Sequence, residues 1–196
     1  QFVYDFIMVE EPQARLSGLA LDINIDTLTQ AELIGDSRRL RKILSNLTSN
    51  AVKYTPENGV ITLSLCEERH EGDGYNNYWF SVEDTGVGMK PDFIERIFEP
   101  FERETNATTG LGMSITKSTL DLLGGRIEIE SEPDVGSRFT VVVPLRIPAV
   151  NVAACEITGF EQIKQHCAKI RANTRPYAAG VSFSGHVLLV EDDELN

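Results

Sequence analysis

The chain has 196 residues, 41% apolar and 24% charged, which suits a globular protein with one sizeable core, or a core plus a tail. Its 18 basic and 30 acidic side chains give a net charge of −12, arguing against nonspecific binding to nucleic acid or an anionic membrane. Any phosphate ligand would therefore need a local site built from backbone N–H groups, a metal and a few placed cations.

Cys66, Cys155 and Cys167 are odd in number and form no CxxC pair, so neither a disulfide framework nor a zinc site is expected. A reducing, cytoplasmic compartment fits. No apolar run approaches the roughly 18–20 residues that span a bilayer. Residues 1–11 lack the basic start and small-residue cleavage site of a signal peptide, and read as a chain cut from something longer. Any membrane anchor of the parent would then lie outside this piece, which itself has no expected membrane contact.

In chain order, residues 1–13 read as the tail of a helix stopping near Pro12. Residues 19–26 alternate apolar and polar from Leu19 to Ile25, the period of a half-buried strand. Residues 36–55 carry Leu40, Ile43, Leu44, Leu47 and Ala51 at helical spacing, with Asp36 as the expected N-cap. Arg38 and Arg39 stand in the first turn, where they oppose the helix dipole. Residues 60–65 and 79–83 read as antiparallel strands, with residues 67–77 a polar loop between them. A short helix is expected over 91–97, a loop over 98–109, and a helix opened by Gly110-Leu-Gly112 and running to Leu123, ended by Gly124 and Gly125. Residues 126–131 and 138–144 read as a last strand pair. The expected fold is an α/β sandwich with a mixed, mostly antiparallel sheet packed on helices. The texture changes after Pro148: residues 149–185 read as a linker with one weak helix, and 186–196 as a compact strand ending in acids.

Three patterns carry chemistry. Asn46, Asn50 and Lys53 fall at i, i+4 and i+7, a polar stripe flanking the apolar one, although Asn is a poor helix-interior residue. An ordinary amphipathic helix with an amide-rich flank would look the same. Asp84, followed by Gly86 and Gly88, puts a carboxylate and a tight turn at a strand end. It could accept a hydrogen bond from an exocyclic amino group, or simply end the strand. Gly110 and Gly112 open a helix, where free N–H groups and the dipole favour phosphate, though many helices begin this way. The ordered combination is much rarer than any part.

Together, Asn46-x-x-x-Asn50-Ala-x-Lys53, Asp84-x-Gly86-x-Gly88, Phe98-Glu-Pro-Phe101 and Thr109-Gly-Leu-Gly112 resemble four motif boxes of the catalytic, ATP-binding domain of sensor histidine kinases. The resemblance covers roughly residues 19–145 and implies a Bergerat-type ATP site. It implies Asn50 as the ligand of a Mg2+ ion on the triphosphate, with Asn46 beside it and Lys53 on phosphate. Tyr54 would lie near adenine, and Asp84 would bind the adenine amino group in a pocket shaped by Gly86 and Gly88. Gly110 and Gly112 would line the phosphate end, with Phe101, Thr109 and Leu111 of the boxes on the nucleotide side. Thr140 matches a position that often supports the adenine-binding Asp. ATPases that share the fold carry a Glu where Asn46 stands, and an amide cannot take a proton from water. Phosphoryl transfer to a histidine is therefore favoured over hydrolysis, with a hydrolase or a non-catalytic nucleotide-sensing module as alternatives.

Two departures stand out. The stretch between Phe101 and Gly110 is shorter than the family's usual lid, so Arg103 reads equally as a lid arginine on the phosphates or as a solvated charge. His70, His166 and His186 lack the surroundings of a phosphoacceptor and read as structural or solvent-facing. The acceptor is then expected upstream, in a dimerisation hairpin that residues 1–13 would end, in a homodimeric parent. The run from Val187 through Glu191 and Asp192 resembles the first strand and acidic pair of a receiver domain, as in a hybrid kinase.

Overall fold

The computed structural model describes residues 2–26, 28–29, 32–69, 74–101 and 111–148. His70, Arg103, Thr109, Gly110, the 149–185 stretch and the receiver-like 186–196 end lie outside the described residues. Along the chain run α1 (Phe2–Leu16), β1 (Ala20–Ile25), α2 (Ser37–Tyr54), β2 (Val60–Arg69), β3 (Tyr75–Asp84), α3 (Pro91–Ile94), α4 (Gly112–Leu122), β4 (Arg126–Glu132) and β5 (Gly136–Arg146). The five strands form one sheet in the order β1-β2-β3-β5-β4. β1 runs parallel to β2, as expected when a helix such as α2 makes the crossover, and every other pair is antiparallel.

One sheet face is apolar. Ile61, Leu63 and Leu65 of β2 stand in register with Asp84, Val82 and Phe80 of β3, and Val82 and Phe80 with Phe139 and Val141 of β5. All are buried, and apart from Asp84 at the sheet's end they share one core with Leu40, Ile43, Leu44 and Leu47 of α2. The α2 stripe is thus the expected core face. Asp36 caps the helix by accepting the Arg39 N–H at 2.8 Å, an interaction typically worth about 1 kcal/mol. The Arg39 guanidinium turns back onto the same carboxylate at 3.1 Å, which explains a cation in the first turn.

Three expectations needed correction. α1 does not stop near Pro12 but runs on to Leu16. Pro12 sits on the exposed side, while Glu10 and Ala14 are buried on either side of it, so tertiary packing carries the helix past the lost hydrogen bond. Glu10 accepts a hydrogen bond from Ser45 of α2 at 2.8 Å, and its burial pushes its carboxyl above the ordinary glutamate range.

Of the polar loop expected over 67–77, residues 67–69 and 75–77 are strand. Glu67 accepts from Asn76 at 2.5 Å, from the Tyr78 hydroxyl at 3.2 Å and from the Thr29 N–H at 2.6 Å; Glu68 accepts from Asn77 at 3.1 Å. Polar residues that read as solvated are paired with one another across the hairpin. Finally, α3 is a single turn. Beyond it the chain continues in tight i to i−3 turns, with Arg96 N–H on the Phe93 carbonyl and Glu99 N–H on the Arg96 carbonyl. No helix among the described residues is long and apolar enough to cross a membrane.

Candidate functional site

The amide stripe of α2 faces α4. Asn46 donates from Nδ2 to Thr116 Oγ1 at 2.8 Å and reaches Met113 Sδ at 3.9 Å; Asn50 points its Nδ2 at the same sulfur, 3.6 Å away. The approach is close because position 112 has no side chain: a Cβ there would lie 2.6 Å from Asn46 Oδ1. A side chain at position 112 would therefore displace the Asn46 amide. Replacing it with Ala should lower the urea midpoint by the equivalent of about 1–3 kcal/mol at unchanged slope. An unchanged midpoint would mean that Asn46 is not held against α4. Leu111 precedes the helix, and its carbonyl accepts from the Ile115 N–H at 3.1 Å and the Ser114 hydroxyl at 3.0 Å. Lys53 lies exposed at the far end of the stripe, with Nζ 3.1 Å from the Tyr54 hydroxyl and 4.6 Å from the centre of its ring.

The end of the same helix grips the second motif. The Val87 N–H donates to the Tyr54 carbonyl at 3.2 Å, filling one of the acceptors a helix C-terminus leaves open. Gly86 fits only as glycine, since a Cβ would come within 2.5 Å of both that carbonyl and Asp84 Oδ1. Gly88 has φ +63° and packs where a Cβ would overlap the Glu132 carbonyl. Asp84 is the last residue of β3 and only 7% exposed. Burial pushes its carboxyl above the ordinary aspartate range; the N–H groups of Gly86, at 2.8 Å, and of Ser137 work in the opposite direction. A buried carboxylate held by two N–H donors keeps lone pairs for a further donor.

Thr140 does not support Asp84. It pairs with Ser81, their hydroxyls 2.9 Å apart, whereas Ser137 stands opposite Asp84. Side chains alternate along a strand, so an offset of three residues puts Thr140 on the other sheet face. The expectation is corrected to Ser137, whose backbone makes the contact. Phe101 is 65% exposed, with φ +69°.

Sequence reasoning did not single out Met113, Thr116, Ser131 or Ser137. Met113 and Thr116 follow the glycine motif by one and four residues, so helical spacing from Gly112 could have flagged them. The serines carry no such signal, because their role depends on strand register.

These positions place an amide stripe, a glycine-opened helix and a buried strand-end carboxylate around the C-terminal half of one helix, within a helix-on-mixed-sheet fold of the Bergerat type. Residues 35–147, more than half of the chain, match the histidine kinase-, DNA gyrase B- and HSP90-like ATPase family. The chain belongs to that family, and its catalytic-domain resemblance is to sensor histidine kinases. Sensor histidine kinase GacS of Pseudomonas protegens is 32% identical over 161 residues, 79% of this chain and 17% of that protein. Sensor histidine kinase AruS of Pseudomonas aeruginosa is 33% identical over 204 residues, 96% of this chain and 19% of its own length. The chain therefore spans under a fifth of these relatives. Among solved structures, full-length ShkA in complex with AMPPNP is similar, with a TM-score of 0.62 and 29% identity, over 77% of this chain and 31% of that one.

Proposed function

We propose that this chain binds Mg-ATP beside the C-terminal half of α2 and donates its γ-phosphoryl group to a histidine on a dimerisation domain of the parent protein. The observation that carries the reading is the double use of α2. Its Asn46 and Asn50 meet α4 at Met113, while its last carbonyl, that of Tyr54, holds the Asp84 turn. One rigid element would thus fix the distance between a phosphate end and a base end.

Asp84, buried and ionisable, accepts the adenine amino group. Lys53, exposed at the end of the stripe, offsets phosphate charge. The carbonyl oxygen of Asn50 is a hard donor of the kind Mg2+ takes, and the ion's remaining ligands would be phosphate oxygens and water. Among the described residues no group of three or more His, Cys, Asp or Glu side chains could hold a metal ion, so a metal here would rely on the nucleotide. Bound there, the ion supplies charge neutralisation across the phosphates. In the transfer, a P–N bond to the histidine forms as the P–O bond to ADP breaks, and the protein's part is positioning and electrostatics.

The amide at position 46, already donating to Thr116, favours transfer over hydrolysis because it cannot deprotonate water. Residues 1–13 would end the dimerisation hairpin, 149–185 would link, and 186–196 would begin a receiver domain, in a homodimeric parent working in a phosphorelay. Joining the chain to its parent's upstream hairpin and supplying Mg-ATP should yield acid-labile phosphohistidine. Tight nucleotide binding with no transfer would contradict the kinase reading, and steady turnover of ATP by the chain alone would favour a hydrolase.

A further inference from the structure

Ser131, Ser137 and Asp84 form one row across three strands: Ser131 is in register with Ser137, and Ser137 with Asp84. All three therefore share the core-facing side of the sheet. A serine hydroxyl offers one donor and two acceptor sites. Ser131 fills all of them, donating to the Gly136 carbonyl at 2.9 Å, accepting the Met89 N–H at 2.9 Å, and meeting the Ser137 hydroxyl at 3.0 Å.

The consequence concerns the segment from Asp84 to Met89. At its start, the Asp84 carboxylate takes the Ser137 N–H; at its end, the Met89 N–H is taken by Ser131. Between them the Val87 carbonyl accepts the Asp134 N–H at 2.8 Å, and Gly88 lies against the Glu132 carbonyl. The turn between β4 and β5 thus lies along the whole segment, and Ser131 is the side chain that closes it. The base-facing turn is built by strand register and one hydroxyl as much as by its own glycines.

We infer that Ser131 is a positioning residue for nucleobase recognition, holding the Asp84–Met89 segment so that the Asp84 carboxylate is presented to the base. This rests on the ATP-binding reading above and adds a residue outside its motifs. Ser131 touches no nucleotide atom in this account; it acts through Met89 and Asp84.

The test uses the full 196-residue chain with Ser131→Ala and Ser131→Thr. Losing one such hydrogen bond should weaken ATP about fivefold to tenfold and narrow the ATP-to-GTP affinity ratio by a similar factor. The threonine variant, which keeps the hydroxyl on a residue suited to strands, should stay within about twofold of wild type. Amide exchange read by NMR without nucleotide should be faster at Met89 and Gly86 in the alanine variant, and restored by threonine. Unchanged exchange at both amides would overturn the inference, as would equal loss of ATP and GTP affinity, which marks a general structural role. If wild-type chain binds no ATP, the functional reading fails, and the exchange arm still decides whether Ser131 holds the segment.

Discussion

Asp84→Asn should reduce ATP affinity about tenfold to a hundredfold and erase the preference for ATP over GTP, with no loss of thermal stability. The first part follows from replacing a charged acceptor by an amide, which loses a charge-assisted hydrogen bond of about 1.5–3 kcal/mol. The stability outcome follows from electrostatics. Asp84 is buried at the end of β3, and burial raises its pKa above the ordinary value. A carboxyl with a raised folded pKa contributes stability below the unfolded pKa and loses it as pH rises through the folded value. At neutral pH the ionised group is therefore a cost. Asn removes that cost, and its one carbonyl oxygen, with two lone pairs, still offers an acceptor to the N–H groups of Gly86 and Ser137. Melting at pH 7 should give a variant at least as stable as wild type, its advantage shrinking as pH falls toward the ordinary aspartate pKa. Unchanged affinities for both ATP and GTP would remove Asp84 from the site.

Asn50→Ala should weaken Mg-ATP at least tenfold, about 1.4 kcal/mol, while changing affinity for metal-free ATP much less. Asn50 is half-buried and, among the described residues, makes a weak contact from Nδ2 to the Met113 sulfur, 3.6 Å away, so little of the fold depends on it. The loss should thus appear in the Mg2+ dependence of binding rather than in the melting temperature. Calorimetric titrations with and without Mg2+ make the comparison. Equal weakening in both would assign Asn50 to packing against α4 instead of to the metal.

The core was legible because it is periodic. Leu40, Ile43, Leu44 and Leu47 repeat at helical spacing and are all buried, and the alternation through Ile23 and Ile25 gave β1. The fold class and the family followed from four ordered motifs, matching residues 35–147. What sequence could not supply was register. Thr140 and Ser137 sit three residues apart on β5, and only the pairing of β3 with β5 reveals that Ser137 meets Asp84. The polar strand ends around Glu67 failed for a related reason: Asn76, Tyr78 and Thr29 satisfy that carboxylate from places distant along the chain. Pro12 misled because local propensity yielded to burial on either side of it.

The claim that α2 holds both ends of one nucleotide is tested most directly by a crystal structure of the chain grown with Mg2+ and a non-hydrolysable ATP analogue. The adenine amino group should lie within hydrogen-bond distance of the Asp84 carboxylate, with the metal on the Asn50 carbonyl oxygen. A nucleotide seated elsewhere, or one touching neither residue, would contradict the account.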